Sequence, residues 1–167
     1  MFYCCQTKKA DNKDNNESFN NSKKDEWINK RKGFYIEARV TNWRTENSYN
    51  YLPIITVLVN NSSDTIRYAT YSCSWDINYE TDNKLLPLYG VECDKNVPKV
   101  ITILPYSMEA EKKLEVRTKI DTERLYGLKL RMGFNYVPVK FGEDVYDKTK
   151  LLFKHDHLVW SDTLIVK

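Results

Sequence analysis

Residues 69–79 read ATYSCSWDINY, and this stretch decides the fold. Its odd positions carry Ala69, Tyr71, Cys73, Trp75, Ile77 and Tyr79, and its even ones Thr70, Ser72, Ser74, Asp76 and Asn78. A strand turns successive side chains to opposite faces, so this spacing predicts one long β-strand with Cys73 on its buried side beside Trp75. Cys93 is the partner within reach. A disulfide between the two closes a loop of roughly 20 residues, contributes on the order of 3 kcal/mol in chain-entropy terms, and implies an oxidising compartment.

The same period recurs on both sides of that stretch. Phe34, Ile36, Ala38 and Val40 alternate with Tyr35, Glu37, Arg39 and Thr41, giving a first strand with one wet face. Residues 53–59 are apolar on both parities, as in a central strand buried on both sides. Asn60, Asn61, Ser62, Ser63 and Asp64 then predict a hairpin loop before Ile66. Thr81, Asp82 and Asn83 stop the cysteine strand, and shorter pieces follow at 85–91 and 100–104. Leu114, Val116, Thr118 and Ile120 mark another strand, and Leu128, Leu130, Met132, Phe134 and Tyr136 a further one whose other parity is Lys129, Arg131, Gly133 and Asn135. Leu158, Trp160, Leu164 and Val166 share one parity and close the chain at a sheet edge. Seven or eight short strands with turns between them, and no sustained helical period, predict an all-β antiparallel sandwich.

The domain is expected to span residues 33–167, with residues 1–32 as a disordered tether. From Gln6 to Lys32 only Ala10, Phe19, Trp27 and Ile28 interrupt Asn, Lys, Asp, Ser and Glu, too few apolar groups to offset ordering entropy. Asp25 to Lys30 could form a short amphipathic turn, and Lys30, Arg31 and Lys32 a small basic cluster. A net charge of +3 from 26 basic and 23 acidic residues is small and evenly mixed, so no nucleic-acid partner is expected. No run approaches the ~20 consecutive apolar residues of a membrane helix.

Common catalytic signatures do not occur: no phosphate loop rich in Gly, no Gly-x-Ser-x-Gly elbow, no two-His metalloprotease helix. The acidic residues scatter through turns and wet parities, so no carboxylate pair stands out, and no catalytic residue or cofactor is assigned. His155 and His157 flank Asp156, and on an extended backbone their imidazoles share a face and can chelate zinc. A third and fourth ligand at matching spacing are missing, so a metal-centre enzyme is the alternative reading. Twelve Tyr and four Trp can build a ligand face. Trp43, Tyr49 and Tyr51 surround the loop between the first two strands, with Asn42, Asn47 and Asn50 beside them to orient a glycan or a peptide.

Resemblances to known families add to this reading. Cys4 and Cys5, followed by Gln6 and a polar run, resemble the mature end of a bacterial lipoprotein. Asp121, Tyr126 and Leu128 resemble the corner before the sixth strand of immunoglobulin-like domains, with no Cys at Leu128. The segment 57–116, with its Asn-Ser-Ser turn, its Cys-Ser-Trp strand and Pro105, resembles the immunoglobulin-like domains of uncharacterised bacterial lipoproteins and is similar to an intracellular proteinase-inhibitor domain of bacteria. The resemblance implies a non-catalytic binding or structural module of the cell envelope. It would be a periplasmic or outer-membrane lipoprotein held to the membrane by a lipid on Cys4 or Cys5, with a protein or glycan ligand. An inhibitor-like domain presenting a loop is a further alternative.

Overall fold

A thirteen-residue strand, β3 (Tyr49–Asn61), organises the computed structural model, which describes residues 31–90, 93 and 96–167. Its even positions Leu52, Ile54 and Leu58 enter the main core, while Val57 and Val59 are buried with Tyr35 on the opposite face. Both edges are taken. β1 (Gly33–Val40) pairs with residues 54–61 on one edge, and β2 (Arg44–Glu46) with residues 49–51 on the same edge. β7 (Ser107–Met108) and β8 (Lys112–Thr118) take the other edge. The result is a five-stranded antiparallel sheet with β3 at its centre.

The facing layer is built from shorter pieces: β4 (Ile66–Tyr71), β5 (Tyr79–Thr81), β6 (Pro98–Ile103), β9 (Lys129–Leu130), β10 (Met132–Asn135), β11 (Leu158–Trp160) and β12 (Leu164–Ile165). β10 lies between β5 and β11, β9 pairs with β12, and β4 pairs with β6, all antiparallel. The Ala69 and Val139 N–H groups donate to the Val137 and Arg67 carbonyls, which joins β4 to the chain beyond β10. Between the layers Phe134 is the hub, its ring 5.0 Å from Tyr68, 5.1 Å from Tyr79 and 6.0 Å from Phe34. The fold is therefore an all-β antiparallel sandwich. Its helical pieces are short: α1 (Thr122–Leu125), α2 (Val145–Thr149) and 3₁₀ turns at Trp75–Asn78 and Lys150–Lys154.

Five expectations need correction. The stretch 69–79 is not one strand. β4 ends at Tyr71, a 3₁₀ turn follows from Trp75, and β5 belongs to a different pairing. The break has a local cause: Ser72 donates its N–H to Val97 O and accepts the Val97 N–H on its Oγ, and Asn96 Oδ1 accepts the N–H of Ser74 at 3.1 Å. Cys73 lies in this loop and is exposed rather than facing the core, and it bonds to Cys93 across Cα atoms 6.0 Å apart. Residues 60–64 do not close a hairpin, because β3 has no free edge for β4 and the turn carries the chain to the facing layer instead. Buried Asn60 fixes that crossing by donating to the carbonyls of Asp64, Ile103 and Leu104. The alternation expected across 128–136 gives way to β10 buried at all four positions, with Gly133 leaving room for Trp160, whose ring a Cβ would meet at 2.9 Å. Residues 85–91 supply no named strand, only a bridge from Leu88 to Val116.

Residues 1–30 of the expected tether, with the turn at 25–30 and both N-terminal cysteines, lie outside the described residues. Arg31 is tied into the domain through Asp162 and through the Asn61 amide, which donates to its carbonyl.

Replacing Cys93 by Ser is expected to lower unfolding stability by about 3 kcal/mol, as read by urea denaturation. In the unreduced folded protein neither Cys73 nor Cys93 should take up iodoacetamide; mass-shifted labelling of either one would refute the bond.

Candidate ligand-binding face

The solvent-facing side of the five-stranded sheet carries a row of alternating cations and tyrosines, and a tight turn sets it. Asn47 and Ser48 both adopt positive φ, 48° and 63°, closing β2 onto β3 with the two-residue geometry that matches strand twist. Tyr49 and Tyr51 are thus strand residues, not loop residues. Their parity is opposite to Leu52 and Ile54, so both rings stand on the outer face, 6.5 Å apart. Register does the rest: Tyr51 pairs with Arg44 on one edge and with Arg117 on the other.

A fourth member comes from the loop after β5. The Tyr89 N–H donates to Glu115 O at 2.7 Å and the Arg117 N–H to Pro87 O at 3.2 Å, so residues 87–89 run along the outer edge of β8. Tyr89 is brought edge-on to Tyr51 at 6.3 Å. The Arg117 guanidinium then sits between two rings, 4.1 Å from the Tyr89 centroid and 4.7 Å from that of Tyr49. Arg44 lies 4.8 Å over Tyr51, and Lys119 Nζ 5.0 Å over Tyr49. Each contact of this kind is worth about 0.5–1 kcal/mol at exposed sites, so the two at Arg117 together offset much of the ~2 kcal/mol of rotamer entropy of such a side chain.

The cations differ in what else they hold. Arg44 donates to Glu115 at 2.6 Å, which raises its already high pKa, and its charge is thereby balanced. Among the described residues Arg117 makes no ion pair and its guanidinium donates no hydrogen bond. Two grooves flank the row. One, of about 550 Å³, runs past Tyr49, Lys84, Arg117, Lys119 and Arg124, with Asp121 as its carboxylate. The other, of about 510 Å³, follows Arg44, Pro53, Ile55 and Lys113 on the same face.

Of the residues singled out in the sequence, Tyr49 and Tyr51 come together here. Trp43 does not; it packs against the main core and meets Tyr126 edge-on at 6.3 Å. Asn50 is not an orienting amide either, since it is buried and donates to Ile120 O at 2.7 Å. Tyr126, the tyrosine of the corner motif, is 60 % exposed. Arg117 and Tyr89 were the residues missed. Arg117 stood on the wet parity of its strand, but nothing local in the sequence aligns it with Tyr49 or Tyr89.

His155 and His157 are not presented on one extended face, because His155 caps a 3₁₀ turn in the left-handed region at φ 51°. His155 Nδ1 lies 2.9 Å from Glu80 Oε2 without hydrogen-bond alignment. Among the described residues no three His, Cys, Asp or Glu side chains gather as a metal site.

A separate polar cluster lies between the layers. Tyr68 donates its hydroxyl to Glu109, which pairs with Lys112 at 3.1 Å, and the Lys112 ammonium sits 5.2 Å over Trp75. The void beside it is about 10 Å³, the space of one water rather than of a ligand. Burial first, and then the Glu109 charge, push the Tyr68 and Tyr79 phenols far above the ordinary tyrosine range.

No protein-family model matches the chain, and no curated protein matches it in sequence. Among solved structures it is similar to a presumed lipoprotein, ycdA, of Bacillus subtilis, at 10% identity and a TM-score of 0.38. The match covers 81% of this chain but 38% of the other, so the chain spans well under half of that protein. A likeness of that extent transfers neither fold nor function.

A phenol with a raised folded pKa stays protonated in the native state while the unfolded chain loses its proton above pH ~10, so stability is full below that pH and falls above it. Between pH 10 and 12 the loss is expected to be about 1.4 kcal/mol per pH unit for each such phenol. Tyr68→Phe should cost about 1–2 kcal/mol at pH 7 and flatten the alkaline slope by one proton. An unchanged slope in denaturant titrations would mean that Tyr68 ionises freely.

Proposed function

We propose that the chain is a non-catalytic binding module of the bacterial envelope, an immunoglobulin-like sandwich whose ligand lies across the outer face of the five-stranded sheet. One observation carries this reading: the row Arg44, Tyr51, Arg117 and Tyr89, ordered by mutual cation–aromatic contacts and flanked by two grooves on a rigid sheet. Grooves of this size suit an extended ligand, and rigidity of the supporting strands keeps the entropic cost of binding low. The rings orient cations instead of lying bare, so recognition here depends on charge and hydroxyl groups as much as on stacking.

The anchor half of the proposal rests on chemistry at Cys4 and Cys5, where a thiol followed by a polar run suits attachment of a diacylglyceryl group ahead of a tether. A domain held in this way would sample ligands close to the membrane surface.

The ligand-face half is tested by probing immobilised glycans and peptides with the labelled full-length chain. Binding should weaken at least tenfold in Tyr51→Ala and stay unchanged in His157→Ala; a bound ligand indifferent to Tyr51 and Arg44 substitutions would place recognition elsewhere. For the anchor, a clickable fatty acid fed to bacteria expressing the chain should label it, and Cys4→Ser or Cys5→Ser should abolish the label. Absence of label on the unsubstituted chain refutes the anchor.

A further inference from the structure

We propose that Arg117 is an anion-binding fork and that the ligand it selects is an acidic saccharide chain carrying carboxylates, an inference that rests on the binding-module reading and narrows its ligand. The argument begins with what holds the guanidinium. Tyr49 and Tyr89 lie 4.7 and 4.1 Å from it, which restricts its position before any ligand arrives. Contacts of this type engage the flat face of the cation and leave its N–H donors, which lie in the plane, unspent. A planar carboxylate matches that edge with two parallel hydrogen bonds.

The neighbouring charges point the same way. Lys84, Lys119 and Arg124 line the same groove against one carboxylate, Asp121, so the groove is cationic within a chain of nearly balanced charge. Arg44 is the informative contrast. It stands over Tyr51 as Arg117 stands over Tyr49, yet it already donates one N–H to Glu115 at 2.6 Å and has a second carboxylate, Glu46, 3.8 Å from its Nε. Of these two arginines, Arg117 is the one without a carboxylate partner among the described residues, so its charge is the one left to a ligand.

The remaining surface chemistry favours a saccharide. Cations lie against the rings of Tyr49, Tyr51 and Tyr89, and the same residues carry phenol hydroxyls, which both donate and accept. Hydroxyls beside ammonium and guanidinium groups complement a polyhydroxylated chain with carboxylates at intervals. Base stacking in a nucleic acid would have to compete with the cations already held against these rings.

The test is calorimetric titration of the full-length protein with oligogalacturonate, with neutral malto-oligosaccharide, with oligoglutamate and with single-stranded DNA. Oligogalacturonate should bind in a salt-dependent way, and Arg117→Met should weaken it at least tenfold. Arg117→Lys, which keeps the charge and loses the fork, should recover only part of that loss. Near-ultraviolet circular dichroism confirms that each variant is folded, and shifts of the Arg117 Nε–H resonance on titration report the site directly in the unsubstituted chain. Equal binding of the neutral oligosaccharide, unaffected by Arg117→Met, overturns the fork while leaving the binding face intact. Preference for oligoglutamate or DNA overturns the saccharide class. No binding by any of the four probes overturns the inference, and the immobilised array decides separately whether the face binds at all.

Discussion

A strand hydrogen-bonded along both edges, buried on one face throughout and on the other at Val57 and Val59, has no low-energy way to shift, and β3 is such a strand. A slip of one residue would exchange Leu52, Ile54 and Leu58 for Tyr51, Pro53 and Val57 on the core side, so its register is fixed by the hydrophobic pattern. Everything on the sheet inherits that register. Arg44 and Arg117 meet Tyr51 because β2 and β8 are aligned to β3, β8 by core residues on the opposite face such as Val116 against Leu52, and β2 by the tight turn at Asn47 and Ser48. The binding face is in this sense the reverse side of the core.

The parts of the fold legible in the sequence were those where period and burial agree. Phe34 to Val40, the doubly apolar run at 53–59, and Leu114 to Thr118 are β1, β3 and β8, and together they make most of one layer. The facing layer was harder for a physical reason. Its strands are short, and a side-chain period measures facing without reporting where the backbone finds its hydrogen bonds. Residues 69–79 keep an alternating pattern although Ser72 and Ser74 have left the sheet to bond with Val97 and Asn96. The same limit applies at β10, where central placement removes the wet parity that Lys129 and Arg131 suggested.

For the ligand face, residue type was readable and assembly was not. Tyr49 and Tyr51 announce themselves as aromatic residues two apart near a turn. Arg117 lies 66 positions beyond Tyr51 in the chain, counting from 51 to 117, and Tyr89 reaches it through a segment with no strand period of its own. Pairing between distant strands is set by tertiary packing, which is why the cation clamp appears only once the sheet is assembled. The disulfide takes on a different meaning in that light. Cys93 follows Tyr89 by four residues, so the bond at exposed Cys73 restrains the segment that supplies one wall of the clamp.

That segment does one thing more. A sheet that ends in a strand with free N–H and C=O groups invites a second chain to add on, and β8 is the last strand of its sheet on that side. Residues 87–89 occupy this edge through the Tyr89 and Arg117 backbone bonds and the Leu88 bridge to Val116. The loop stapled by the disulfide is therefore also a cap on this edge: it ends the sheet at β8 with a short irregular piece of the chain's own backbone, so that residues 115–117 offer a neighbouring molecule no open ladder.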